Sequence, residues 1–275
     1  MKNNKKALLL VMILFITSIF SGCKKVDDLK VKFGFKNTDF EYIAENKVEK
    51  IVIQSTRDQG FKCVVTDKRT IENIHDILSS AKVAEDKTSL QPDYVFEIHE
   101  WGKEPHKFNY VVGVQEKGVG NFYADKAYVV SKRIDNDIIR NLSVLRKPRE
   151  FGVLYYDVIF KFLDQYKDTL DSSAKIGINI GDDVEIAKYI LSTDLEHFKE
   201  QLEKKYPNIK LVDKNKEDFQ VLINIKTYGY KEKIYKNIIT VKDSKNNKET
   251  KYYGLCKIED NIWNISISDK KPEEF

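Results

Sequence analysis

Apolar and polar residues follow three different rhythms along this chain. Residues 7–20 are almost continuously apolar, interrupted only by Thr17 and Ser18. From residue 48 onward apolar residues recur at every second position in short runs, the rhythm of half-buried strands. Ile51 and Ile53 share one face over residues 48–54, and Phe61, Cys63 and Val65 share a face after a turn at residues 56–60, which predicts a hairpin. The spacing then changes to three and four at Ile71, Ile74, Ile77, Leu78 and Ala81, predicting an amphipathic helix over 68–81 capped by Asp67. Alternation returns over 94–100, 106–114 and 121–131, and a helix is expected from Asp135 or Asp137 through Ile138, Ile139, Leu142 and Leu145. The order to this point is ββαβββα.

The second half has another layout. Residues 146–152 carry Pro148 and Gly152 within a basic run and read as a boundary. A helix over 153–170 follows, then a strand at 175–180. A second helix opens at Asp182 and Asp183 with Val184, Ala187, Ile190 and Leu191 on its face. Thr193 and Glu196 have capping-box spacing and predict a fresh helix through Phe198 and Leu202. Four strands are expected at 218–228, 232–242, 250–259 and 262–268. The fold class is α+β, two small domains of antiparallel sheet plus helix, 47–149 and 150–275. Residues 23–46 form a tether in which Val31, Phe33 and Phe35 alternate.

The apolar run at 7–20 is too short for the roughly 18–20 residues that span a bilayer. Lys2, Lys5 and Lys6 precede it and Ser21, Gly22 and Cys23 follow. This ending resembles a bacterial lipobox, with Phe20 where Leu is usual. The resemblance implies a signal peptide at 1–22, a diacylglyceryl group on the Cys23 sulfur, and a mature chain held on the extracytoplasmic face of the cell membrane. Two acyl chains suffice for stable anchoring where one is marginal. Cys63 and Cys256 remain, in different predicted domains, and are expected as free thiols on apolar strand faces. Formal net charge is +4, and removing the three leader lysines leaves about +1. So nearly neutral a body argues against a dedicated nucleic-acid binder, which should carry a basic stripe.

Residues 48–149 resemble the YhfM-like domain of Gram-positive lipoproteins. The resemblance rests on the hairpin from Ile51 through Arg57, Asp58 and Phe61 to Asp67. It rests also on Pro92 to Ile98, Gly120 to Tyr123, and the helix start from Arg133 to Asp137. It brings no assigned reaction and no catalytic residue. The last hairpin, Gly254 to Ile265 with Trp263, is similar to that of cystatin-like or NTF2-like envelope domains.

Few residues invite chemistry. His99, Glu100, Glu104 and His106 flank one predicted turn, and the two histidines across a ladder would suit zinc, or they are incidental to a polar turn. Ser79 with Lys82, and Ser172 with Lys175, have S-x-x-K spacing without the partner motifs of penicillin-recognising enzymes. The pairs Asp182/Asp183 and Asp135/Asp137 stand where carboxylates cap helices. Tyr228, Tyr230, Tyr235, Tyr252 and Tyr253 form either a binding stripe or sheet packing. Trp101 sits at a turn, either as a contact for an envelope partner or folded back over the core. No cofactor and no catalytic set is expected. The expected function is non-catalytic binding or scaffolding at the cell envelope; the alternatives are a small-ligand or metal-binding lipoprotein, and an envelope hydrolase.

Overall fold

A computed structural model describes residues 36–44, 46–139, 148, 150–170, 174–213 and 215–275. The expected anchor Cys23, most of its tether, Leu142, Leu145 and Ser172 lie outside the described residues. The architecture is α+β, with one large sheet in each half of the chain.

In the first half a short helix α1 (Glu41–Ala44) leads into β1 (Val48–Ser55), which pairs antiparallel with β2 (Lys62–Val65) and with β5 (Tyr94–Glu100). Strand β5 buries Tyr94, Phe96, Ile98 and Glu100 at alternate positions, as its sequence rhythm requires. Helix α2 (Lys68–Ser79) buries Ile71, Ile74, Ile77 and Leu78. Its N-cap is Asp67, whose carboxylate accepts from the Thr70 amide at 2.9 Å and hydroxyl at 2.7 Å. The remaining strands are β3 (Lys82–Ala84), β4 (Asp86–Lys87), β6 (His106–Tyr110), β7 (Val119–Gly120), β8 (Phe122–Tyr123) and β9 (Ala127–Val129). Seven of these nine form one sheet in the order β2-β1-β5-β6-β8-β9-β3.

Three expectations need correction here. The strand expected at 121–131 is two short strands joined by a tight turn, in which the Ala124 amide donates to the Lys126 carbonyl. Asp39 fixes that turn by accepting from the Tyr128 hydroxyl at 2.8 Å and pairing with Lys126. Strand β6 ends early: the Val111 amide still bonds the in-register Asn121 carbonyl, but the Val112 amide is diverted to the Asp93 carboxylate. Neither Asp135 nor Asp137 caps a helix. The wide helical turn Ile134–Ile139 is entered from Ser131 and Lys132, whose carbonyls accept the first amides. Asp135 instead accepts the buried Tyr110 hydroxyl, and Asp137 pairs with Arg133.

The second half begins with α3 (Phe151–Tyr166), apolar on most sides and buried at Leu154, Tyr155, Val158, Ile159, Phe162 and Leu163. Strand β10 (Ile176–Asn179) is followed by α4 (Ser192–Lys205), β11 (Ile209–Leu211) and a meander of β12 (Val221–Lys231), β13 (Ile234–Asp243), β14 (Lys248–Glu259) and β15 (Ile262–Ser268). The sheet order is β11-β10-β12-β13-β14-β15. It is mixed rather than antiparallel throughout, since β10 pairs parallel with both β11 and β12. A parallel neighbour needs a long crossover, and α4 supplies it between β10 and β11. Cys63 and Cys256 are free thiols; Cys256 is buried, Cys63 half-buried. Burial pushes the Cys256 thiol up to about 12, which leaves it inert.

The helix expected after Gly181 does not form. Val184, meant for its buried face, is 69% exposed, and only a single tight turn, Ala187–Tyr189, is helical. Asp183 is the reason. Its side chain turns into the core and accepts from the Thr227 amide at 2.9 Å, the Thr227 hydroxyl at 2.8 Å and the Tyr155 hydroxyl at 3.4 Å. Its other oxygen has no hydrogen-bond partner among the described residues. Burial raises its carboxyl above the ordinary 3.8, against the pull of those donors. A carboxyl whose folded value is raised contributes most below its unfolded value, and the contribution is lost as pH rises through the folded value. Asp183→Asn is expected to flatten the stability profile in that window and to keep neutral-pH stability within about 1 kcal/mol. Urea unfolding of both proteins across acid pH checks this; parallel profiles would contradict it.

The two cores share no residue: one runs from Phe40 to Ile138, the other from Phe151 to Ile267. We propose that 47–149 and 150–275 are folding units. Expressed separately, each half is expected to melt in one cooperative calorimetric transition. An unfolded half would contradict the division.

Candidate binding cleft

The halves meet through a buried polar lock. Asp93 lies just before β5, and its side chain is 1% exposed. It accepts from Arg57 Nη1 at 2.6 Å, from the Val112 amide at 2.8 Å and from the Ser192 amide at 2.8 Å. Ser192 Oγ donates to the Gln91 carbonyl at 2.6 Å and is itself bonded by Arg57. Thr193 Oγ1 donates to the Val112 carbonyl at 3.2 Å. The expected capping box of Thr193 and Glu196 is therefore not made. The α4 N-terminus takes its carboxylate from the other half of the chain, where the helix dipole favours it. Burial raises the Asp93 carboxyl above its usual range, with the Val112, Arg57 and Ser192 interactions opposing that rise.

Beside this lock is a cleft of about 740 Å³, within the usual range for ligand sites. The first half contributes Phe61, Tyr94 and Asp135; α3, α4 and the segment between β10 and α4 contribute Phe151, Tyr156, Asp157, Tyr189 and Phe198. Its walls are aromatic: Tyr156 stacks on Phe198 with centroids 4.7 Å apart, Phe151 meets Tyr189 edge-on at 5.4 Å, and Phe61 leans on Tyr94 at 6.3 Å. Burial pushes the Tyr94 hydroxyl up to about 12, with Asp93 and Asp135 adding to it. Burial also raises Asp135 and Asp157 above ordinary carboxyl values. The Tyr156 hydroxyl oxygen is buried and has no hydrogen-bond partner among the described residues. Sequence reasoning missed this site. The available signal was Tyr156 and Asp157, which stand off the helix side that carries Leu154, Val158, Phe162 and Leu163.

The residues singled out in the sequence are dispersed. Trp101 is 67% exposed at the turn after β5, so it does not fold back over the core. His99 and His106 do not face one another. Ile98 pairs with His106, so His106 shares a face with Ile98 and Glu100, while His99 points to the opposite face. His106 Nε2 lies 2.7 Å from Glu100 and its ring stacks on Tyr42, whereas His99 lies by Glu97, which also pairs with Lys107. Among the described residues no group of three or more His, Cys, Asp or Glu side chains could hold a metal. Lys103 and His106 hold the Glu100 carboxyl below its ordinary value. Ser79 is buried in α2, its hydroxyl donating to the Asp76 carbonyl. Asp182 is taken up by Lys216 and Asn179. The tyrosines divide between faces: Tyr235 and Tyr252 are core, while Tyr228 and Tyr253 pack outside against Phe275. No helix of the described residues is long and apolar enough to cross a membrane.

No curated protein and no solved structure matches the chain. One family model does, that of the YhfM protein, over residues 44–148. This span holds every strand of the first sheet together with Arg57 and Asp93, so residues 44–148 form a YhfM-like domain.

Proposed function

We propose that this chain is a lipid-anchored extracytoplasmic protein whose task is binding at the cell envelope, without catalysis of its own. The basic, apolar and small-residue leader ending at Cys23 supports the anchor and the location. The observation that carries binding is the cleft at the junction: aromatic walls from both halves and a polar lock that fixes their separation. Walls held rigid before the ligand arrives reduce the ordering cost of binding.

Val153 is 63% exposed on the cleft rim, and Ile262 is 68% exposed on β15, away from it. A photo-crosslinking amino acid at Val153 is expected to give a discrete adduct on intact cells. The same group at Ile262 is expected to give none. Identical adduct patterns at the two positions would overturn the cleft as the binding element.

A further inference from the structure

We infer that the Trp101 turn is a bilayer contact, with the indole seated among the headgroups of the membrane that holds Cys23. The inference rests on the anchoring proposed above. The YhfM-like sheet has two distinct ends, because β1 and β5 run antiparallel with Val48 opposite Glu100 and Ser55 opposite Tyr94. At one end the Trp101 amide donates to the Lys47 carbonyl at 3.1 Å, and Tyr42 stacks on His106 with centroids 4.4 Å apart. The chain coming from Cys23 is first held at Asn37 by the Leu78, Ser79 and Ala81 carbonyls, then crosses past Lys126 and His106 and enters β1 beside Trp101. At the other end Arg57, Asp93 and Val112 hold Ser192 and Thr193. Seven residues of strand put roughly 23 Å between these ends.

A bilayer suits this end of the sheet for two reasons. The first is the side chain itself. An indole with an apolar body and one polar N–H is at home at the level of lipid headgroups. Trp101 is exposed on a turn made possible by Gly102 at φ 70°, with exposed Lys47, Lys103 and Glu104 beside it. The second is proximity. Residues 24–35 separate Cys23 from the first described residue. No chain of that length reaches further than about 45 Å. An anchored domain so tethered meets the surface at high effective concentration, so a contact too weak to recruit free protein still orients a bound one.

The test uses full-length lipidated protein carrying Trp263→Phe, which leaves Trp101 as its only indole. It is reconstituted into phosphatidylcholine–phosphatidylglycerol vesicles with and without brominated lipid. Blue-shifted emission and several-fold lower intensity in brominated vesicles are expected. Solvent-like, unquenched emission from acylated, vesicle-bound protein would overturn the contact while leaving the anchor intact. So would shielding of Trp101 that requires an added envelope protein. If the purified protein carries no acyl group, the anchoring reading fails. The same single-indole chain is then attached to nickel-chelating lipid through a histidine tag replacing residues 1–23, where quenching supports the contact and its absence overturns it. Trp101→Ala is expected to leave the melting temperature unchanged, which separates this surface role from a structural one.

Discussion

Replacing Asp93 with alanine is expected to cost about 3–5 kcal/mol, the range for removing one partner of a buried ion pair. Arg57, only 21% exposed at its side chain, would keep its charge without its carboxylate. The Val112 and Ser192 amides would lose their acceptor at the same time. Asp93→Asn should cost less, because an amide oxygen still accepts while the charge attraction is gone. Thermal unfolding is the measurement, and the wild-type transition should split or broaden as the halves uncouple. A loss under about 1 kcal/mol, the value of an exposed ion pair, would show that the lock does not join the halves.

Phe122→Ala is expected to be equally severe, about 3–5 kcal/mol. Phe122 is fully buried on β8, a strand of two residues. Its ring stacks on Phe108 at 4.8 Å, meets Phe96 edge-on at 5.5 Å, and lies 6.1 Å from both Phe40 and Tyr110. Truncation leaves a cavity walled by rigid rings from β5, β6 and the segment before α1. Such walls cannot collapse inward, so the cavity persists. Phe122→Leu should recover much of the loss. Chemical denaturation read by near-ultraviolet dichroism checks both; a loss below about 1.5 kcal/mol for the alanine variant would mean that this core repacks freely.

Local rhythm made much of this fold legible. Strand β5 and helix α2 follow directly from alternation and from the spacing of Ile71, Ile74 and Ile77, and Asp67 caps where a side-chain acceptor should stand. The failures share one cause: a polar side chain is claimed by a distant part of the chain. Asp183 has the right type and place for a helix cap, yet Thr227 takes its carboxylate into the core and the helix is lost. Thr193 has capping-box spacing, yet its hydroxyl bonds Val112 in the other half. Strand β6 ends early because Asp93 withdraws the Val112 amide. Periodicity within a window carries no information on such pairings.

The site was less legible than the fold. Asp93 stands inside the segment that carried the family resemblance, but nothing in its neighbours announces that it anchors a helix about a hundred residues later. Tyr156 looks like any helix aromatic until its place on the cleft wall is seen. The histidines mislead for the opposite reason. Their spacing suggests a pair, and the one-residue offset between Ile98 and His106 sends them to opposite faces.

Anchoring through Cys23 is the claim on which location, tether length and the Trp101 contact all depend. Metabolic labelling with a fatty-acid analogue, followed by membrane fractionation, tests it most directly. Wild-type protein is expected to carry label and to sediment with membranes. Cys23→Ala is expected to carry none and to accumulate as precursor or in the medium. Undiminished label on Cys23→Ala would contradict the account.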